Sequence, residues 1–292
     1  PGLWQRLAGP ILGVGVLLLF LVISPGIGTK VLGARRWLVL PGIVLQPSEL
    51  IKLVQVIYLS AWMTSRRVTL TQFMAYTGLI AGLVMLRPDL GTTLVVSGLA
   101  ISLYFITGYP VKQLMTIVGV AVVAVIMFIG SSSYRIDRVK TFLDPTHDPL
   151  GSSYHIRQVI LALGSGGVTG VGIGRSRQKY EYLPESTTDS IIAVAGEELG
   201  FVGISLVMVT FIYLISRIFK VAAMCKHPFN AALSAGVGSW ISLQVVLNLA
   251  AMVALTPLTG VPLPLVSYGG SALMTILMGL GLVIAVARVE KV

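Results

Sequence analysis

Four carboxylates crowd the head of one apolar run. In YLPESTTDSIIAVAGEELG (residues 182–200), Glu185 and Asp189 lie in the approach, and Glu197 and Glu198 follow about two helical turns further in. Carboxylates are costly in hydrocarbon, so acidic side chains at and below a bilayer entrance mark a functional site by default. Placed there, a carboxylate can serve as a general base. Asp189 also has a second reading: its side chain can cap the helix that follows by accepting free N–H groups of the first turn. One aspartate can do both.

Other residues invite paired readings. Glu49 and Lys52 lie three apart on one helix and can face each other; they form either an ion pair inside the bundle or a contact to substrate. Arg36, Arg175, Arg177 and Lys179 can neutralise an anion, or are surface cations lying along the apolar boundary. Ser267, Tyr268, Gly269 and Gly270 open the last apolar run and either line a cavity or let helices approach closely. The glycines at 164, 166, 167, 170, 172 and 174 suit a phosphate-holding turn or a flexible loop; GVGIG follows no strand, so a nucleotide fingerprint is not expected. Asp144, His147 and Asp148 give too few ligands for a metal site, and their Asp-Pro steps indicate turns.

The elements that position these residues follow from composition. Of 292 residues, 55% are hydrophobic and 11% charged, against ~25% charged in soluble domains. The charges fall between long apolar runs without strand alternation, which predicts an all-α, polytopic transmembrane bundle and excludes a β-barrel. Eight spans are expected at about 8–24, 47–64, 71–86, 89–107, 113–130, 189–216, 229–256 and 270–287, with Pro88 turning the third into the fourth. They form a single integral membrane domain over 1–292 with a long loop at about 131–188. Within that loop, Ile156, Val159, Ile160 and Leu163 share one helical face, which predicts an interfacial or re-entrant segment bordering a lipid-tail groove. The single cysteine, Cys225, excludes an intrachain disulfide. The net charge of +10 points to anionic lipid or lipid phosphate; no nucleic-acid motif is present. The basic residues divide almost evenly between the two sides, so their count does not set orientation.

Six collinear segments carry a family resemblance: GARRWLVLPGIVLQPSELIKL (33–53), RPDLGT (87–92), YRIDRVKTFLDPTHDP (134–149), GVGIGRSRQKYEYLPESTTD (170–189), AGEELGFVG (195–203) and GVPLPLVSYGGSAL (260–273). Together they resemble the SEDS (shape, elongation, division, sporulation) peptidoglycan glycosyltransferases, the group of RodA and FtsW. The resemblance implies ten spans with cytoplasmic termini, the first two lying before this chain. It places loops 25–46 and 131–188 outside the bacterial inner membrane. The family's essential aspartate lies in an LPE-x-HTD-F pattern, and Glu185 and Asp189 match its two acids. Thr187 stands for the usual His, Ser190 for the usual Phe, and Arg87 for the usual Gln before Pro-Asp-Leu-Gly. Residues 170–182 are nearer the FtsW branch and 260–273 nearer the RodA branch.

The implied reaction joins two lipid II molecules. The 4-hydroxyl of one GlcNAc attacks the anomeric carbon of a MurNAc carrying undecaprenyl pyrophosphate. Such a hydroxyl needs a base, for which Asp189 is the candidate with Glu185 beside it. The leaving pyrophosphate needs positive charge, for which Arg36, Arg175, Arg177 and Lys179 are candidates, with Lys52, Ser267 and Tyr268 as further substrate contacts. No metal ligand set is assigned, and a divalent cation such as Mg is left open. The resemblance also implies a class B penicillin-binding protein transpeptidase as partner. A lipid II flippase and a non-catalytic scaffold of a cell-wall synthase are the competing classes.

Overall fold

The computed structural model describes residues 2–24, 28–31, 34–40, 43–87, 89–131, 133–143, 154–178, 188–257 and 259–292. Among these residues there are ten helices and three short strands. They are α1 (Gly2–Ile23), β1 (Thr29–Val31), β2 (Ala34–Leu40), β3 (Ile43–Leu45), α2 (Pro47–Ser65), α3 (Leu70–Met85), α4 (Leu90–Ile106), α5 (Val111–Gly130), α6 (Ser133–Leu143), α7 (Tyr154–Gly166), α8 (Ile191–Met224), α9 (Pro228–Met252) and α10 (Gly270–Glu290). Seven of the eight expected spans are unbroken helices, and the remaining one, at 189–216, is a helix interrupted at Gly200. Five of the eight (α1, α5, α8, α9 and α10) are long and apolar enough to cross a bilayer by length and composition alone, and α3 and α4 are shorter apolar helices. The chain is a multi-pass helical membrane protein.

The chain divides into two compact units. The first comprises residues 1–118, 215–243 and 269–292. Its central element is α2, which starts with Pro47 in the first turn, where a missing N–H costs nothing. Nearly every residue of α2 is buried, as expected of a helix enclosed on all sides. It packs against α1, α4 and α10. Without water to drive helices together, close packing does that work, and small residues mark the contacts. A methyl at Gly15 would lie 3.0 Å from Ile51 Cδ1, and one at Gly279 would lie 3.2 Å from Trp240 Cζ3. The α3 start is a capping box of Thr69 and Gln72. Asp89 caps α4, accepting from Thr92 N at 3.0 Å and Thr92 Oγ1 at 2.9 Å. Arg87, just before that cap, is 5% exposed, and its Nη2 donates to Leu19 O of α1 at 3.5 Å.

The strands were not expected from the apolar pattern. They form an antiparallel meander, β1-β2-β3, with Leu38 opposite Leu45 and Val39 opposite Val44. Leu38 is buried while Val39 and Val44 are exposed, the two-residue alternation of a one-sided sheet. Ser271 of α10 ties this meander to α2: its hydroxyl donates to Val44 O at 2.7 Å and accepts from Gln46 N at 3.0 Å.

The second unit comprises residues 119–214 and 244–268. Here α8 departs from the expected continuous span. Gly200 takes φ +68°, ψ −167° and breaks the helix. In an unbroken helix Phe201 and Val202 would donate to the carbonyls of Glu197 and Glu198. Instead Phe201 N donates to Gly167 O at 3.0 Å and Val202 N to Val168 O at 3.1 Å. The freed carbonyls accept from Val171 N at 2.9 Å and Gly172 N at 3.0 Å. Two helical bonds are thus replaced by four bonds to the glycine-rich segment. The N–H groups of Val171 and Gly172 are thus bonded to the broken helix.

The amphipathic segment is also corrected. It is the helix α7, with Ile156 3% and Val159 0% exposed, but Ile160 is 46% exposed and lies off the buried face. That face continues through Ala162 to Gly166. A Cβ at Gly166 would overlap the Gly196 carbonyl of α8, so this end of the buried face is covered by protein.

Candidate active site

The backbone first decides where Asp189 stands. Ser190 O accepts from Ala193 N at 2.9 Å and from Val194 N at 3.3 Å. Ser190 therefore occupies the cap position of α8, and Asp189 lies one residue outside it.

Three consecutive residues are then held by three separate elements. Ser267 Oγ, in the segment before α10, donates to Thr188 O at 2.6 Å. Asn248 Nδ2, on α9, donates to Asp189 O at 2.9 Å. His155 Nε2, on α7, shares a hydrogen bond of 2.8 Å with Ser190 Oγ. The same groups brace the segment that faces the turn: Asn248 Nδ2 also donates to Val261 O at 2.8 Å, and Ser267 Oγ accepts from Leu263 N at 2.8 Å. Gly260 completes this wall. Its φ of +69° disfavours any L side chain, and a Cβ there would lie 3.2 Å from Asp189 Oδ2. A side chain at position 260 would crowd the carboxylate.

Glu197 organises the other approach. It is 4% exposed. Its carboxylate accepts from Ser176 Oγ at 2.6 Å, Arg177 N at 3.1 Å and Gln178 N at 3.3 Å. Charge-assisted bonds of this kind are about twice as strong as neutral ones. Both ends of the 179–187 stretch are consequently anchored, residues 176–178 on Glu197 and residues 188–190 on the three grips.

The other candidates are placed as follows. Arg175 and Arg177 have exposed side chains on the turn that Glu197 anchors. Glu185 and Lys179 lie outside the described residues, as do Asp144, His147 and Asp148. Arg36 belongs to β2, with its side chain outside the description. Lys52 is 1% exposed, and its ammonium lies 2.7 Å from Glu49 Oε1 and 5.7 Å from the centre of the Trp240 ring. That geometry is the buried ion pair of the two readings. The Ser267 hydroxyl is engaged with backbone on both sides, whereas Tyr268 beside it is 80% exposed.

Asn248, His155 and Gly260 were not singled out from sequence. The signal for Asn248 was present: with Gln244 it puts two amides one turn apart in an apolar span, and such polar groups bond across helices.

These features define a polytopic helical membrane protein with a carboxylate held at the head of one span. The family described as cell cycle protein, FtsW/RodA/SpoVE, matches residues 1–292. The chain belongs to this family. It is 37% identical to a probable peptidoglycan glycosyltransferase FtsW of Trichlorobacter lovleyi, over 98% of this chain and 77% of that protein. It is 34% identical to stage V sporulation protein E of Bacillus subtilis, over 99% and 81%. Its fold is similar to a chain in a structure described as structural coordination of polymerization and crosslinking by a peptidoglycan synthase complex (TM-score 0.80, 32% identity, 98% and 82% covered). It is also similar to the rod shape determining protein RodA of Thermus thermophilus (TM-score 0.69, 32% identity, 98% and 79% covered).

Proposed function

We propose that this chain is a peptidoglycan glycosyltransferase of the bacterial cytoplasmic membrane that polymerises lipid II, with Asp189 as general base. The observation that carries the reading is the grip on residues 188–190, which holds the backbone that bears one carboxylate at the head of a span. A sugar hydroxyl attacks only as its proton leaves, so a positioned acceptor is what the reaction asks of the protein. Glu185, four residues upstream, is the second acid. Arg175 and Arg177 on the anchored turn, with Arg36 and Lys179, supply charge to the leaving pyrophosphate. Tyr268 offers an exposed phenol for the sugar. The names of the relatives support the reaction class, and the resemblance to a polymerising and crosslinking complex supports a class B penicillin-binding protein as partner.

The test is polymerisation of lipid II by the purified protein, with and without a cognate transpeptidase and with and without EDTA, read as glycan strands on a gel. Asp189→Asn should lower the rate by ~10²–10⁴-fold while leaving membrane insertion and partner binding unchanged. The substitution keeps the backbone carbonyl that Asn248 holds. Arg175→Ala should weaken polymerisation in a folded protein. Lipid II translocation across vesicles without any strand synthesis would replace this reading with the transport one.

A further inference from the structure

We infer that Asn248 is a positioning residue for Asp189, setting the position of the residue that bears the carboxylate relative to the 260–261 segment. The inference rests on the reading of Asp189 as the base. Asn248 sits near the end of α9 and is 1% exposed. A buried amide is tolerated only when bonded. Its Nδ2 donates twice, to Asp189 O at 2.9 Å and to Val261 O at 2.8 Å. One acceptor is the carbonyl of the residue that bears the carboxylate. The other belongs to the residue after Gly260, and a Cβ added at Gly260 would come within 3.2 Å of Asp189 Oδ2. A single planar NH₂ group thus ties together the backbone from which the carboxylate grows and the backbone of the 260–261 segment.

The chemistry of the position is demanding. Both amide hydrogens are needed: a serine offers one donor, an aspartate none, and a leucine of similar size none. Asn248 Oδ1 has no hydrogen-bond partner among the described residues, so what the amide supplies at this position is its two donors. Asn248 makes its two bonds to main chain, so it acts through Asp189 and not on substrate.

The test compares Asn248→Leu, Asn248→Gln and Asp189→Asn as full-length protein in the lipid II assay, with rates expressed per mole of folded, monodisperse enzyme and melting followed in parallel. A misplacement of about 1 Å costs on the order of 10²-fold, so Asn248→Leu should lose ~10–100-fold in kcat with KM unchanged. Asn248→Gln keeps both donors on a longer arm and should recover part of the loss. A Leu variant with wild-type kcat, or a Gln variant no faster than Leu, overturns the inference. So does a loss confined to KM, which would make Asn248 a substrate contact. A drop in melting midpoint with kcat per folded enzyme intact makes its role structural, which also overturns it. Where Asn248→Leu does not fold, Asn248→Gln alone decides: wild-type kcat overturns the inference, and a reduced kcat at unchanged KM supports it. The Asp189→Asn arm separates the two claims. If that variant polymerises normally, the base assignment falls and the positioning role falls with it; if it is inactive while Asn248→Leu is normal, only the positioning role falls.

Discussion

Thr188, Asp189 and Ser190 are each held by a different side chain, and Glu197 holds the turn at 176–178 through three bonds. All the donors that meet Glu197 point at a carboxylate. Glu197→Gln would turn one acceptor oxygen into a donor facing donors. That substitution should cost about 1–3 kcal/mol, the scale for an unmet buried bond, seen as a lower melting midpoint in detergent. Polymerisation should fall too, because Arg175 and Arg177 ride on this turn; an unchanged rate would separate the turn from the chemistry. Asp189 was legible from sequence because a carboxylate at the head of an apolar run is a strong anomaly. Asn248 was harder to read. A neutral amide is a milder anomaly, and its partner at position 189 is 59 residues away in the chain, beyond the reach of any local spacing rule.

Helices were legible wherever an apolar run alone decides them, and their interruptions were not. Gly200 in AGEELGFVG reads like any small residue in a span, because the break depends on a partner segment that supplies replacement bonds. Gly170 lies on the other side of that junction at φ +79°, where a Cβ would overlap the Glu198 carbonyl. Gly170→Ala should therefore destabilise by more than the ~1–2 kcal/mol of left-handed backbone alone, measured as a shift in thermal unfolding. The pair on α2 gives a different test. Removing one member of a buried ion pair typically costs about 3–5 kcal/mol, whereas replacing both with apolar residues is often neutral. Lys52→Met should lower the melting midpoint, and Glu49→Leu with Lys52→Met should restore it. A stable double variant that fails to polymerise lipid II would give the pair a part in the reaction beyond packing. The meander at 29–45 was missed because ARRWLVL and IVL look like continuations of apolar sequence. The Pro-Gly step between them, at 41–42, was the available hairpin signal.

Across the whole molecule, composition was enough to place all eight apolar helices, because a bilayer demands length and low charge and little else. α5 shows how little: among its 20 residues only Ile117 is buried, and its apolar surface otherwise faces outward. What composition does not encode is which helices are mechanically joined. The four bonds between residues 167–172 and 197–202 bind the segment after α7 to the broken α8, and separation of either segment from the other breaks all four. In hydrogen–deuterium exchange, the amides of Val171, Gly172, Phe201 and Val202 should therefore report a single opening event, with one opening free energy and one dependence on denaturant. Peptides covering the two segments that open with different free energies would show that the junction opens piecemeal.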